Sequence, residues 1–364
     1  MIVLIFLSFL ISATSMAWII RRSRKHAQRY AQDAPQRFHL GNISRLAGAG
    51  MLCALSAGWL LIAFNGLASN IVANPTKVVL VLLAIAPAVL CGIREDLTQR
   101  VSVKVRLLWT LASGMALCYV DGLSVNRLGL PWVDTWLAAW PWVGMAIAVL
   151  AIGGLPHAFN IIDGYNGLAG TVAMLISLAL VHVSLQLGDR QLAGMLAVLV
   201  GATLGFLVWN YPHGKIFAGD GGAYLWGLVI AYGCVQLVSR YPTVSPWFPM
   251  LLLSYPVVET LFSIYRKIAR GQSPGLADAL HLHQLIYRRI VRVVIDDEDE
   301  AREMLQRNNR TSPYLWGVAL LTIVPAVIFW HNTWALIACC AAFTILYVSA
   351  YLAIVRFKLP SWLS

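Results

Sequence analysis

Five short polar stretches interrupt the long apolar runs of this 364-residue chain, and each carries side chains able to bind or move charge. One is Asn160-Ile-Ile-Asp163-Gly-Tyr-Asn166-Gly-Leu-Ala-Gly170, a carboxylate and two amides among three glycines. Such a loop can wrap a nucleotide base and a diphosphate through main-chain amides, although a glycine-rich turn by itself is often only a helix-packing face. A second runs from Asn210 through Pro212 and Phe217 to Gly219-Asp220-Gly221-Gly222, with one aspartate set between glycines at the expected start of a helix. A carboxylate there can hold a hard cation such as Mg²⁺, or it can simply cap the helix. The pair Glu95-Asp96, with Arg100, Lys104 and Arg106 behind it, could bind a metal, deprotonate a phosphate or pair with its own basic neighbours. His281-Leu-His283 lies beside Arg288 and Arg289. Imidazoles two apart do not share a helix face, which argues against a simple zinc pair and for phosphate contacts from a loop. The fifth stretch, Asp33-Ala-Pro35-Gln-Arg37-Phe38-His39, precedes Arg45-Leu-Ala-Gly48.

The elements that must position these groups are membrane helices. With 59% hydrophobic and only 12% charged residues, and a mean hydropathy of +0.71, the chain is too apolar for a soluble domain. Its runs are about twenty residues long, enough to cross a hydrocarbon core of roughly 30 Å as α-helix. The expected fold is therefore all-α, a single polytopic domain over residues 1–364. The alternation of an outer-membrane barrel is absent. Spans are expected at 1–20, 46–68, 76–94, 104–121, 140–159, 167–187, 192–209, 223–239, 247–265, 313–331 and 333–355, about eleven in all. The first is expected to be an anchor, since it has neither a basic leader nor a small-residue cleavage site before Arg21. An odd count puts the amino terminus outside and the carboxyl terminus inside. The segments then facing inward hold 23 of the 27 Lys and Arg residues, as the positive-inside rule requires. The net charge of +11 is thus a topology signal with some attraction to anionic lipid headgroups, and no nucleic acid is needed to explain it. All five polar stretches fall on the inner side, the His-x-His pair in a long inward loop at 266–312. Tryptophans 132, 136, 140 and 142 fit an outer interfacial belt, and the six cysteines sit inside apolar runs as packing residues.

The order of these blocks resembles the polyprenyl-phosphate N-acetylhexosamine-1-phosphate transferases of glycosyltransferase family 4, over roughly residues 33–290. The resemblance implies an enzyme that moves N-acetylhexosamine-1-phosphate from a UDP-sugar to undecaprenyl phosphate and releases UMP. It implies Mg²⁺, replaceable by Mn²⁺, on Asp220 and Asn160. It further implies Asn166 reading the uracil, with Phe217 stacking on it and Asn210 nearby, and Lys104 on a phosphate. Asp96 would deprotonate or position the lipid phosphate, and His281, His283 and Arg288 would face the sugar diphosphate. Asp163 would be a further catalytic-site residue of unassigned role. Glu95 stands where the family has a first aspartate, Asn166 where many members have aspartate, and His157 where asparagine is common. Gln284 and Ala223 depart from the peptidoglycan branch, so the resemblance is closer to transferases that use UDP-GlcNAc and start an O-antigen-like or other envelope glycan. The expected setting is the inner (plasma) membrane with a cytoplasmic site, the homodimer being a compatible state. Direct attack by the lipid phosphate is favoured over an enzyme-bound intermediate. The rival reading is a transporter or lipid-binding protein whose polar stations line a path, but such proteins place ionisable groups near mid-membrane and often show inverted repeats.

Overall fold

The computed structural model describes residues 1–23, 43–65, 71, 73–273, 280–291 and 299–356. Its helices are α1 (Ile2–Arg22), α2 (Ala47–Asn65), α3 (Pro75–Thr98), α4 (Val103–Asp121), α5 (Pro131–Ala139), α6 (Pro141–Ile162) and α7 (Leu168–Gln186). They continue as α8 (Arg190–Asn210), α9 (Gly219–Arg240), α10 (Trp247–Leu252), α11 (Ser254–Ala269), α12 (Leu282–Ile286), α13 (Glu300–Ile328) and α14 (Thr333–Val355). A π-helical turn, Tyr287–Val291, extends α12. Ten of these helices are long and apolar enough to cross a membrane, so this is an all-α, multi-pass membrane protein. Among the described residues the one extended pairing is an isolated bridge between Ser44 and Ile216.

Local signals set the helix ends. Asn74 caps α3, accepting from Lys77 N at 3.3 Å with Pro75 next in line, and the helix stops at Gln99 in a left-handed conformation (φ +53°). Ser102 caps α4, and Glu95 Oε2 accepts from Val101 N at 2.7 Å, closing the turn between the two helices. The expected span at 247–265 differs from the others, because the chain breaks at Leu253 into α10 and α11. Pro256 has no N–H for the carbonyl of Leu252, and its ring crowds that carbonyl. The broken pair still connects the two ends of the bundle. Ser245 bonds to Trp330 and Thr333 at one end, and Glu259 meets His281 at the other. The last loop is also shorter than expected, since α13 begins at Glu300 and runs through Pro313.

α9 is the axis of the bundle and is buried without interruption from Gly221 to Leu237. Its amino-terminal turn fits because glycines face it. A Cβ on Gly48 of α2 would lie 2.4 Å from Gly221 C and Gly222 N, and one on Gly92 of α3 would lie 2.7 Å from Gly221 N. Farther along, a Cβ on Gly227 would lie 2.3 Å from the Pro156 nitrogen of α6. In lipid, where no hydrophobic force drives helices together, backbone approach of this kind supplies the packing.

Away from this turn, the opposite end of the bundle carries its own charge pairs. Lys77 meets Asp121, which also accepts from Tyr232 and Gln236, and Arg240 Nη1 reaches Asp189 at 3.0 Å. Arg127 donates to the carbonyls of Val238, Tyr241 and Val244. Three of the four basic residues expected outside are therefore neutralised or saturated there. The described cysteines are all free thiols.

Candidate active site

Asp220 lies in the first turn of α9 and is held from three directions. Arg106 Nη1 of α4 donates to its Oδ2 at 2.5 Å, Tyr224 Oη donates to the same oxygen at 3.0 Å, and Asn160 Nδ2 of α6 donates to Oδ1 at 2.7 Å. Asp96, buried in the last turn of α3, supports this turn from behind. Its two oxygens accept from Asp220 N and Gly221 N, both at 2.9 Å. A carboxylate on the free N–H groups of a helix start satisfies them and is favoured by the helix dipole. The expected phosphate base is thus turned toward the α9 backbone, next to the aspartate it helps to aim.

Asp163 follows directly on α6, partly buried at the cavity wall. Burial pushes its carboxyl up to about 7, against the opposing pull of the Gly219 N–H and the Arg45 charge. A carboxyl whose folded value exceeds the ordinary 3.8 takes up a proton on folding. The stability it brings is full below that value and is lost as pH rises to about 7. Asp163→Asn is therefore expected to flatten the difference in thermal midpoint between about pH 5 and about pH 8, with its gain over wild type at the higher pH. Thermal unfolding in detergent at both values checks this.

Around these residues opens a cavity of about 1070 Å³. Its polar end is walled by Arg45, Glu95, Asp96, Arg106, His157, Asn160, Asp163, Phe217, Asp220, His281 and His283. Its apolar remainder runs between α4, α6, α9 and α11, past Leu107, Leu150, Leu155, Val235 and Val257, to Val125 and Pro246 at the opposite end of the bundle. Of the twelve expected site residues, eight share this wall. Asn166 and Asn210 stand behind it. Asn210 accepts from Gly167 N at 2.6 Å and donates to Ile216 O at 2.8 Å, tying the two loops together. Asn166 is 1% exposed and donates to Pro212 O and Asn309 Oδ1. Lys104 and Arg288 are exposed on the surface nearby, and Asp33 to His39 lie outside the described residues.

His281 and His283 meet the cavity from α12, their rings parallel at 5.2 Å. His281 Nδ1 bonds Glu259 Oε1 at 2.9 Å, and Gln284 Oε1 accepts from His281 N at 3.2 Å. The ring of His283 packs edge-on against Tyr165. His157, on α6, pairs through Nε2 with Thr110 at 3.0 Å and touches the Tyr224 ring.

The fold brings to the site five residues that the sequence does not single out. Arg106 was one cation among three behind Glu95-Asp96, and nothing local distinguishes it. Glu259 carried a usable signal, being an acid inside an apolar run, where the default reading is functional. Asn308 Oδ1 accepts from Asn166 N at 2.8 Å, Asn309 pairs with the Asn166 amide, and Ser312 Oγ donates to Asn166 O at 2.6 Å. These three sit on the first turns of α13, more than 140 positions away, and no motif announces them.

Among the described residues, no three His, Cys, Asp or Glu side chains form a metal-binding group. One carboxylate with an adjacent amide is instead the donor set of a Mg²⁺ site completed by water and substrate phosphates. Asp220 and Asn160 fit that set.

Residues 78–238 match the family described as glycosyl transferase family 4, a stretch that ends before the histidine turn. The chain is 27% identical over 286 residues to a probable undecaprenyl-phosphate N-acetylglucosaminyl 1-phosphate transferase of Bacillus subtilis, covering 78% of this chain and 76% of that protein. It is 28% identical over 194 residues to the undecaprenyl-phosphate alpha-N-acetylglucosaminyl 1-phosphate transferase of Yersinia pestis, about half of each chain (52% and 53%). A decaprenyl-phosphate N-acetylglucosaminephosphotransferase of Mycolicibacterium smegmatis is 33% identical over 150 residues, 35% of this chain and 36% of that protein.

Proposed function

We propose that this chain, which matches glycosyl transferase family 4 over residues 78–238 and resembles the undecaprenyl-phosphate N-acetylglucosaminyl 1-phosphate transferases, transfers N-acetylhexosamine-1-phosphate from a UDP-sugar to undecaprenyl phosphate. The supporting observation is one cavity with two chemistries. Its polar end gathers Asp220, Asn160, Arg106 and the two histidines, and its apolar length follows the depth of the bundle. A prenyl chain suits the apolar groove between α4, α6 and α11, and a sugar diphosphate suits the polar end. The names of the relatives favour GlcNAc as the sugar.

A phosphate oxygen of the lipid attacks the sugar-linked phosphorus, forming a new P–O–P bond. The bond to the α-phosphate breaks, and UMP leaves with the bridging oxygen. Asp220 and Asn160 would hold Mg²⁺, or Mn²⁺ in its place, and the bound ion would offset the crowding of charge between the phosphates and ease the departure of UMP. Arg45 and Arg106 add positive charge to that end of the cavity, and His281 and His283, on the same wall, can donate to phosphoryl oxygens. Asp96 keeps Asp220 on its bearing. Positioning of the two substrates supplies much of the rate, since little covalent work falls to the protein.

The basic residues of the expected inward segments support a cytoplasmic site in the inner membrane, and the product would start an O-antigen-like or other envelope polysaccharide. The test is UMP release from a panel of UDP-sugars by the purified protein in detergent. Release is expected only with polyprenyl phosphate present and a divalent cation supplied. Release without the lipid, or solute transport without release, would favour the rival transporter reading.

A further inference from the structure

Glu259 is 0% exposed, although it lies on α11, a helix that turns Leu261, Tyr265 and Ile268 outward with 60, 66 and 62% of their surfaces exposed. An acid buried in a membrane protein is costly unless its oxygens are satisfied. Here each is. Oε1 accepts from His281 Nδ1 at 2.9 Å and from Leu282 N at 3.2 Å, and Oε2 accepts from Tyr347 Oη of α14 at 2.6 Å. The first two bonds fix both the ring and the backbone where the chain turns into α12. With Nδ1 held by the carboxylate, Nε2 is the ring atom left to act, and the His281 ring is part of the cavity wall. Second carboxylates that bond the inner nitrogen of a working histidine set its tautomer and orientation and stabilise its imidazolium form.

We propose that Glu259 is a positioning residue that holds His281 with Nε2 directed at the sugar diphosphate, making the pair a carboxylate–imidazole couple for the transfer step. This rests on the transferase reading above. Glu259 touches no substrate itself and acts through His281. Tyr347 anchors the far oxygen of Glu259, so that the carboxylate keeps one rotamer.

The experiment is a double-mutant cycle with Glu259→Gln and His281→Gln, read by UMP release from UDP-GlcNAc with polyprenyl phosphate. Wild-type turnover measured first tests the transferase reading separately, so that its failure is distinguishable from failure of the couple. Glutamine keeps the size of Glu259 and can still accept from Nδ1, but it removes the charge. Glu259→Gln is expected to lower kcat about 10- to 100-fold with KM for UDP-GlcNAc changed less than about 3-fold. It is also expected to move the basic limb of the kcat profile to lower pH, because an imidazolium beside a neutral amide loses its proton more readily. In the His281→Gln background, Glu259→Gln should add almost nothing. Should the glutamine variant fail to fold, Glu259→Asp retains the charge and is expected to keep the wild-type pH profile at reduced kcat. Independent, multiplicative effects of the two glutamine substitutions would overturn the proposal. So would an unmoved pH profile in a folded Glu259→Gln protein.

Discussion

Asp220→Asn is expected to reduce divalent-cation-dependent UMP release by at least about 10³-fold while the protein stays folded. The substitution preserves volume and leaves the backbone N–H of residue 220 on Asp96, so the start of α9 keeps its support. What goes is the negative charge that Arg106, Tyr224 and Asn160 converge on. A neutral amide there holds Mg²⁺ poorly and leaves the Arg106 guanidinium without its counter-charge. Thermal unfolding separates the two effects, since loss of the ion pair alone lowers stability modestly and does not abolish chemistry. Wild-type-like turnover by the variant would remove Asp220 from the proposed metal site.

The second large effect is expected from a residue with no functional group. A Cβ on Gly48 would stand 2.4 Å from the backbone of Gly221 and Gly222, about 1 Å or more inside ordinary contact. Both obstructing atoms are main chain, so no side chain can swing aside and α9 must move as a unit. Overpacking of this kind costs about 1–3 kcal/mol. A displacement of roughly 1 Å at the reacting groups costs about 10²-fold in rate. Gly48→Ala should therefore lower both the thermal midpoint and kcat, whereas Gly317→Ala, with nothing within 4 Å of its new methyl, should leave both nearly unchanged. Equal, negligible effects at the two positions would show that α9 tolerates displacement.

Asp220 and Asn160 could be placed beforehand because glycine-flanked acids and span-end amides leave a local trace. The same holds for the spans, whose lengths follow from bilayer thickness. The direction of a side chain leaves no such trace. Asn166 and Asn210 have the composition of base-reading amides, yet in the fold they satisfy loop N–H and carbonyl groups and the helix α13. Buried backbone must find partners, and short amides are well suited to supply them. Arg106 shows the converse. Its sequence neighbours Glu95 and Asp96 offered the obvious pairing, but Glu95 closes a turn, Asp96 caps α9, and the guanidinium finds an acid 114 positions away. The break at Leu253 was hidden in an apolar run because hydropathy counts Pro256 as one more residue, whereas the helix loses a bond there.

That break also bears on how the proposed lipid acceptor would arrive. α11 shows hydrocarbon to its surroundings and carboxylate, hydroxyl and guanidinium to the bundle, and it forms one bank of the groove. A lipid reaching such a groove approaches sideways, within the leaflet, by two-dimensional diffusion. For the acceptor, the meaningful concentration is then its surface density, molecules per unit area of membrane, and diluting the bilayer with inert lipid slows encounter even when the amount per litre is unchanged.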